Sequence, residues 1–246
     1  MKTMTELEAL ANQYLQQLPA LMGVPKAPLG GEIASFIDHT ILKADATEAQ
    51  IRKLCAEATE NNFAAVCINP AYVALCNQLL KGSGVAVCTV IGFPLGANPT
   101  EIKVAETEYS VRAGATEVDL VINIGAMRSG HYQLVYDEIV AVKKTAGKAL
   151  LKVIFENCYL EKKEKILACL MCKEAGAEYV KTSTGFGSSG ATLEDVELMR
   201  RVVGHEMGVK AAGGIRTHAD ALKMIASGAS RIGTSAGVAI MAEAKA

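Results

Sequence analysis

From Ile33 onward the chain alternates short apolar runs rich in Val and Ile with longer segments of helical periodicity, and this rhythm constrains the fold more than any other feature. Eight runs qualify as strands: 35–38, 64–68, 85–91, 117–122, 150–155, 179–181, 209–211 and 231–232. Between them, Thr47, Pro70, Thr100, Thr192 and Thr217 stand where a helix cap or first turn belongs. The stretches AGATEVD, AGAEYVK and SGASRIG repeat one device, a helix closed by glycine that leads at once into a strand. Eight strands alternating with helices predict an α/β fold, a closed (β/α)8 TIM barrel, with a doubly wound open sheet as the alternative. Ahead of this region Leu7, Leu10, Tyr14, Leu18 and Leu21 lie near helical spacing and predict an extra amphipathic helix over 5–22. Pro25, Pro28, Gly30 and Gly31 then mark a linker. The expected division is a helical extension and linker over 1–32 and the barrel over 33–246.

Composition narrows the function. With 246 residues, half of them hydrophobic, the chain is long enough for one substantial core. A net charge of -1 and the absence of a Lys/Arg run give no footprint for nucleic acid or a membrane surface, so small neutral or anionic ligands are the expected partners. Seven cysteines without a CxxC pair read as thiols in a reducing compartment. The opening MKTMTELEALANQYLQQLPALMG has no continuous apolar core or cleavage pattern, and no apolar run reaches the ~18 residues of a membrane span, so a cytoplasmic location is expected.

In a barrel the chemistry sits where strands end and the following loops begin. Asp38, Asn69, Asp119, Asn123, Lys152, Glu156, Lys181 and Lys210 lie within or just beyond strands that are otherwise apolar. Taken singly, each can be an interior ion pair or a residue that reaches solvent. Lys152, Lys181 and Lys210 are different, because they come from three consecutive strands and should share one space. Neighbouring ammonium groups in a low dielectric repel, which predicts a lysine lowered toward roughly 7–8 and available as a free amine. A free amine attacks aldehydes and ketones to form a Schiff base. The competing arrangement is a buried network in which the lysines pair with Asp119 and Glu156. Alternation puts Asp119, Val121 and Asn123 on one face, so an inward Asp119 would meet the lysines and relay protons.

AAGGIRTHAD and RIGTSAGV are glycine-rich strand-to-helix turns in the seventh and eighth loops, where barrels often bind phosphate. Gly213, Gly214, Arg216, Gly233 and Ser235 are the candidates there, with Gly185 of TSTGFG from the sixth loop; ordinary turns are the plainer explanation. His39, His131, His205 and His218 show no HxH or HExxH spacing, so no metal site is expected. Cys67 has no evident histidine partner and reads as core, although its place at the end of the second strand leaves it near the site.

The segments IDHTILKADAT, AVCINPAYV, VIGFPLGA, ATEVDLVINIGAM, LKVIFE, AEYVKTSTGFG, VKAAGGIRT and RIGTSAG, in order from Ile33 to Gly237, resemble those of deoxyribose-phosphate aldolases. The resemblance implies a class I aldolase that cleaves 2-deoxy-D-ribose 5-phosphate to D-glyceraldehyde 3-phosphate and acetaldehyde, with no metal or organic cofactor and assembly as a dimer or larger. It implies Lys181 of VKTSTGF as the Schiff-base lysine, Lys210 of VKAAGG as the lysine that perturbs it, and Asp119 of EVDLVIN as proton relay. Asp38 of IDHT and Lys152 of LKVI are implied as supporting polar residues. Phe186 departs from the pattern, since some relatives carry lysine after the STG turn, near the phosphate. Two other readings stay open: an isomerase with Asp119 or Glu156 as base, which would form no covalent adduct, and a sugar-phosphate sensor without activity.

Overall fold

Thr47, Thr192 and Thr217 each accept the backbone N–H of the residue three positions on, a donor that the first helical turn leaves unpaired. In the computed structural model, which describes residues 2–245, the elements they punctuate alternate throughout. The first part runs α1 (Met4–Gln16), β1 (Ile37–Ile41), α2 (Glu48–Asn61), β2 (Ala65–Ile68), α3 (Val73–Leu79) and β3 (Ala86–Ile91). The middle holds α4 (Thr100–Arg112), β4 (Glu117–Val121), α5 (Ile124–Arg128), α6 (Tyr132–Ala146), β5 (Leu150–Ile154) and α7 (Lys162–Ala175). The last part is β6 (Tyr179–Lys181), α8 (Leu193–Val203), β7 (Gly208–Ala212), α9 (His218–Ala226), β8 (Arg231–Thr234) and α10 (Gly237–Ala244). Every neighbouring pair of strands is parallel and β8 pairs with β1, so the sheet closes in sequence order. The fold is the barrel and not the open sheet. Among the described residues, no helix is long and apolar enough to cross a membrane.

Two elements fall elsewhere than the sequence suggests. The first strand starts at Ile37, because Gly30–Phe36 winds into a 3-10 segment. There the Glu32 carboxylate accepts from the Leu29 N–H and Ser35 Oγ donates to the Glu32 carbonyl, local bonds that compete with a strand ladder. Asp38 is therefore the second residue of its strand, deep in the barrel. The first helix ends at Gln16, short of Leu18 and Leu21. Pro19 explains this, since the residue before proline is driven out of helical geometry. α1 packs against α7 on the outer wall, burying Leu7 and Ala11.

The main core lies between the strands and the helices, where Val118, Leu120, Leu151, Val153, Val180 and Val209 point outward. A second, small cluster of Leu42, Ala65, Cys67, Cys88 and Val90 fills the side of the barrel lumen lined by β2 and β3. The remaining strands send charged side chains into the lumen.

One buried ion pair outside the lumen fixes the loops above β3 and β4. Lys103 on α4 lies 2.8 Å from Glu138 on α6, and both are fully buried. The ammonium also donates to the carbonyls of Gly96 (2.7 Å) and Val121 (2.9 Å), while Glu138 accepts from the Asn123 N–H. Gly96 cannot be another residue: its φ is +66° and a Cβ would stand 1.9 Å from the Ile122 carbonyl oxygen. Because breaking such a pair strands a buried charge, Lys103→Met is expected to lose about 3–5 kcal/mol in urea unfolding. A loss below about 1 kcal/mol would contradict this role.

Candidate active site

Alternation along each strand decides which side chains enter the lumen. Asp119 faces across to Lys152 in the β4–β5 register, Lys181 pairs with Lys210 in β6–β7, and Lys210 pairs with Arg231 in β7–β8. The three lysines therefore do converge, and Asp119 stands between them. Its Oδ2 accepts from Lys181 Nζ at 2.7 Å and from Lys210 Nζ at 2.8 Å, while its Oδ1 accepts from Lys152 Nζ at 2.9 Å. Below this layer Lys210 also binds Asp38, and Lys152 lies 2.5 Å from Glu117. Arg231 closes the floor, 2.6 Å from Asp38 and 3.2 Å from Glu117, with its guanidinium 5.6 Å from the centre of the Tyr179 ring.

This arrangement shows that the expected lowering does not extend to Lys152 and Lys210. Repulsion among ammonium groups would lower the lysines, but carboxylates are interleaved with them. Burial pulls Lys152 and Lys210 down, and the carboxylates, Asp119 foremost, outweigh it and hold both above the ordinary lysine value. Burial likewise pushes Asp119 and Asp38 up, but the surrounding cations hold both below the usual carboxylate range. Among the strand residues, four cationic groups (Lys152, Lys181, Lys210 and Arg231) face three carboxylates (Asp38, Glu117 and Asp119). One proton too many is present when all are ionised. Lys152 meets three carboxylates, Lys210 and Arg231 two each, and Lys181 only Asp119. Lys181 is also the last residue of β6, nearest the open end of the barrel. The lysine with the fewest carboxylate partners is thus the one nearest the mouth.

Cys67 lies in the lumen beside its register partner Cys88. Cys88 also touches Asp119 Oδ1 at 3.1 Å and Lys152 Nζ at 3.2 Å. Cys67, Cys88 and Asp119 stand close enough together to suggest metal ligation, but the Lys152 ammonium already fills the cation's seat. Glu117, Arg231 and Cys88 are the members that sequence reasoning missed. Glu117 was within reach of it, two residues from Asp119 on the same face.

Around the mouth, Gly185, Gly213 and Gly214 all have φ between +84° and +89°. Gly213 packs on Gly190 so closely that a Cβ would come within 2.9 Å of its Cα. The Thr234 hydroxyl donates to the Ile215 carbonyl at 2.7 Å and ties the seventh loop to the eighth. Arg216 and Ser235 are exposed in these loops. Gly233 lies elsewhere, inside β8, where a Cβ would meet Lys210 Cε at 3.0 Å; it makes room for that lysine. A cavity of about 320 Å³ lined by Gly190, Gly213, Gly214 and Lys223 opens beside the turn. Phe186 leaves the turn without a cation and sets its ring edge-on against Phe93, 5.3 Å away. Glu156 and Asn123 are engaged in structure: Glu156 accepts from the Thr184 N–H and hydroxyl, and Asn123 caps α5.

Residues 33–243 match the model of the DeoC/LacD family of aldolases. The chain belongs to this family. The aldolase is 58% identical over 214 residues to the deoxyribose-phosphate aldolase of Carboxydothermus hydrogenoformans, covering 85% of this chain and 94% of the relative. With that of Clostridium tetani the identity is 55% over 215 residues, 87% of this chain and all of the relative. Its fold is also similar to the tetrameric deoxyribose phosphate aldolase of Aeropyrum pernix, with a TM-score of 0.81 at 33% identity over 98% of this chain and 97% of that one.

The lumen network makes the aldolase pH-sensitive at both extremes. Asp38 and Asp119, held below 3.8, contribute stability above about pH 4 that is lost as pH falls through their depressed values. Lys152 and Lys210, held above 10.5, contribute below about pH 10 and cease to as pH rises through their raised values. Urea unfolding is expected to show lower stability at about pH 3 than at about pH 6. Equal stability at the two would contradict the interior ion pairs.

Proposed function

We propose that the chain reversibly cleaves 2-deoxy-D-ribose 5-phosphate to D-glyceraldehyde 3-phosphate and acetaldehyde, with Lys181 forming the Schiff base. The observation that carries this is the 2.7 Å contact of Lys181 with Asp119 at the barrel mouth, in a lumen that holds one cation more than its carboxylates balance. The free amine of Lys181 attacks C1 of the open-chain sugar phosphate, and loss of water gives an imine. The two-carbon product comprises C1 and C2, so the C2–C3 bond is the one that breaks. The protonated imine takes up its electron pair as an enamine, which a carbanion in water could not match in stability. As the bond breaks the 3-hydroxyl gives up its proton, and Asp119 Oδ2 accepts it through a bridging water. Protonation of the enamine at C2 and hydrolysis then release acetaldehyde and restore Lys181. Lys210, 2.8 Å from the same oxygen, stays charged and keeps Asp119 ionised between proton transfers. The lysine is itself the electron sink, so the reading calls for no metal or organic cofactor.

Amides around Gly185, Gly213 and Gly214, with Arg216 and Ser235, receive the phosphate dianion. The locked position of Glu156 and the single partner of Lys181 favour this reading over an isomerase. The surroundings are the cytoplasm and the assembly a homodimer or larger.

Acetaldehyde release from deoxyribose 5-phosphate, followed through a coupled dehydrogenase, tests the activity. Asp119→Asn is expected to slow kcat by about 10²–10⁴-fold, and an unchanged rate would remove Asp119 from the proton path. Arg216→Ala is expected to raise KM for the phosphorylated sugar with kcat unchanged and to leave cleavage of free deoxyribose as it was. Equal effects on both sugars would place the phosphate elsewhere.

A further inference from the structure

Asp119 accepts four donors, two on each oxygen. Lys181 and Lys210 share Oδ2; Lys152 and the Cys88 thiol share Oδ1. The first pair changes during the reaction proposed above, because the Lys181 nitrogen gives up two of its three protons and bonds to carbon as it becomes a protonated imine. Something must keep the carboxylate from turning about its Cβ–Cγ bond when that happens. Lys152 alone is poorly suited, since its ammonium is divided among Asp119, Glu117 and Asp38. Cys88 has no competing carboxylate partner. It lies on β3, opposite Glu117 in the β3–β4 register, and reaches Oδ1 from a different strand than Lys152 does.

We propose that Cys88 is a positioning residue of the aldolase, whose S–H holds Asp119 Oδ1 so that Oδ2 stays turned toward Lys181 throughout turnover. The direction of the hydrogen bond follows from the surroundings. Lys152 Nζ donates to the sulfur at 3.2 Å, which leaves the single thiol proton to point at Oδ1, 3.1 Å away. The other acceptor in reach, the Thr89 carbonyl, is farther at 3.7 Å. Cys88 is fully buried among Ala65, Cys67 and Val90, and burial pushes its thiol up, so it remains a donor at the pH of the reaction. A hydrogen bond to an ionised acceptor at a fully buried position is worth enough for its loss to slow the reaction about tenfold.

The inference rests on the Schiff-base reading and is separable from it. kcat and KM for deoxyribose 5-phosphate are measured for the wild type, Cys88→Ala, Cys88→Val and Cys88→Ser, each with its thermal unfolding midpoint. Ala removes the donor, Val removes it while keeping the volume, and Ser restores a donor. Expected are kcat values about tenfold lower in Ala and Val with KM within about twofold, and a Ser variant within about threefold of wild type. Wild-type kcat in Ala or Val overturns the inference, as does a Ser variant that falls as far as those two with its midpoint intact. A wild type that releases no acetaldehyde overturns the aldolase reading and this one with it, whereas an active wild type with an unaffected Cys88→Ala variant overturns this one alone.

Discussion

A carboxylate in the middle of a barrel, shared by three ammonium groups, is the contact on which the remainder of the lumen depends. Asp119 alone would be costly to bury in ionised form, and so would each lysine. Together they are stable only because the network is closed below them by Asp38, Glu117 and Arg231. Most barrels fill this space with branched apolar residues in layers. Here β2 and β3 keep that style with Ala65, Cys67, Cys88 and Val90, while β1 and β4 to β8 carry charge. The apolar side limits water, and the lower dielectric strengthens every ion pair beside it.

The network also explains why one lysine differs from its neighbours. Lys152 and Lys210 are held charged by carboxylates on more than one strand, so each acts as a fixed positive charge. Lys181 has a single carboxylate, and that carboxylate is shared three ways. Lys181 is thus the lumen lysine with the fewest carboxylate partners.

Much of this was legible before any coordinates. Short Val- and Ile-rich runs, capping threonines and closing glycines located the strands of the barrel, and alternation placed Asp119 against the lysines. The first strand was misplaced because Ser35 and Phe36 look extended by composition, whereas Glu32 ties them into a turn through bonds that periodicity does not reveal. Convergence could be read from consecutive strands, but the further carboxylates that hold Lys152 and Lys210 charged could not, since Asp38 lies deep in β1 and Glu117 faces inward. Cys88 gave no charge signal and resembled any core residue. Gly233 looked like a phosphate turn and lies instead against Lys210, a distinction that only register makes.

The central claim is that the surplus positive charge of the lumen makes Lys181, and neither Lys152 nor Lys210, the nucleophile. Incubation of the intact protein with acetaldehyde and sodium borohydride, followed by peptide mapping in a mass spectrometer, tests it most directly. The account predicts one reduced adduct, located on Lys181. An adduct on Lys210 or Lys152, or none at all on well-folded protein, would contradict it.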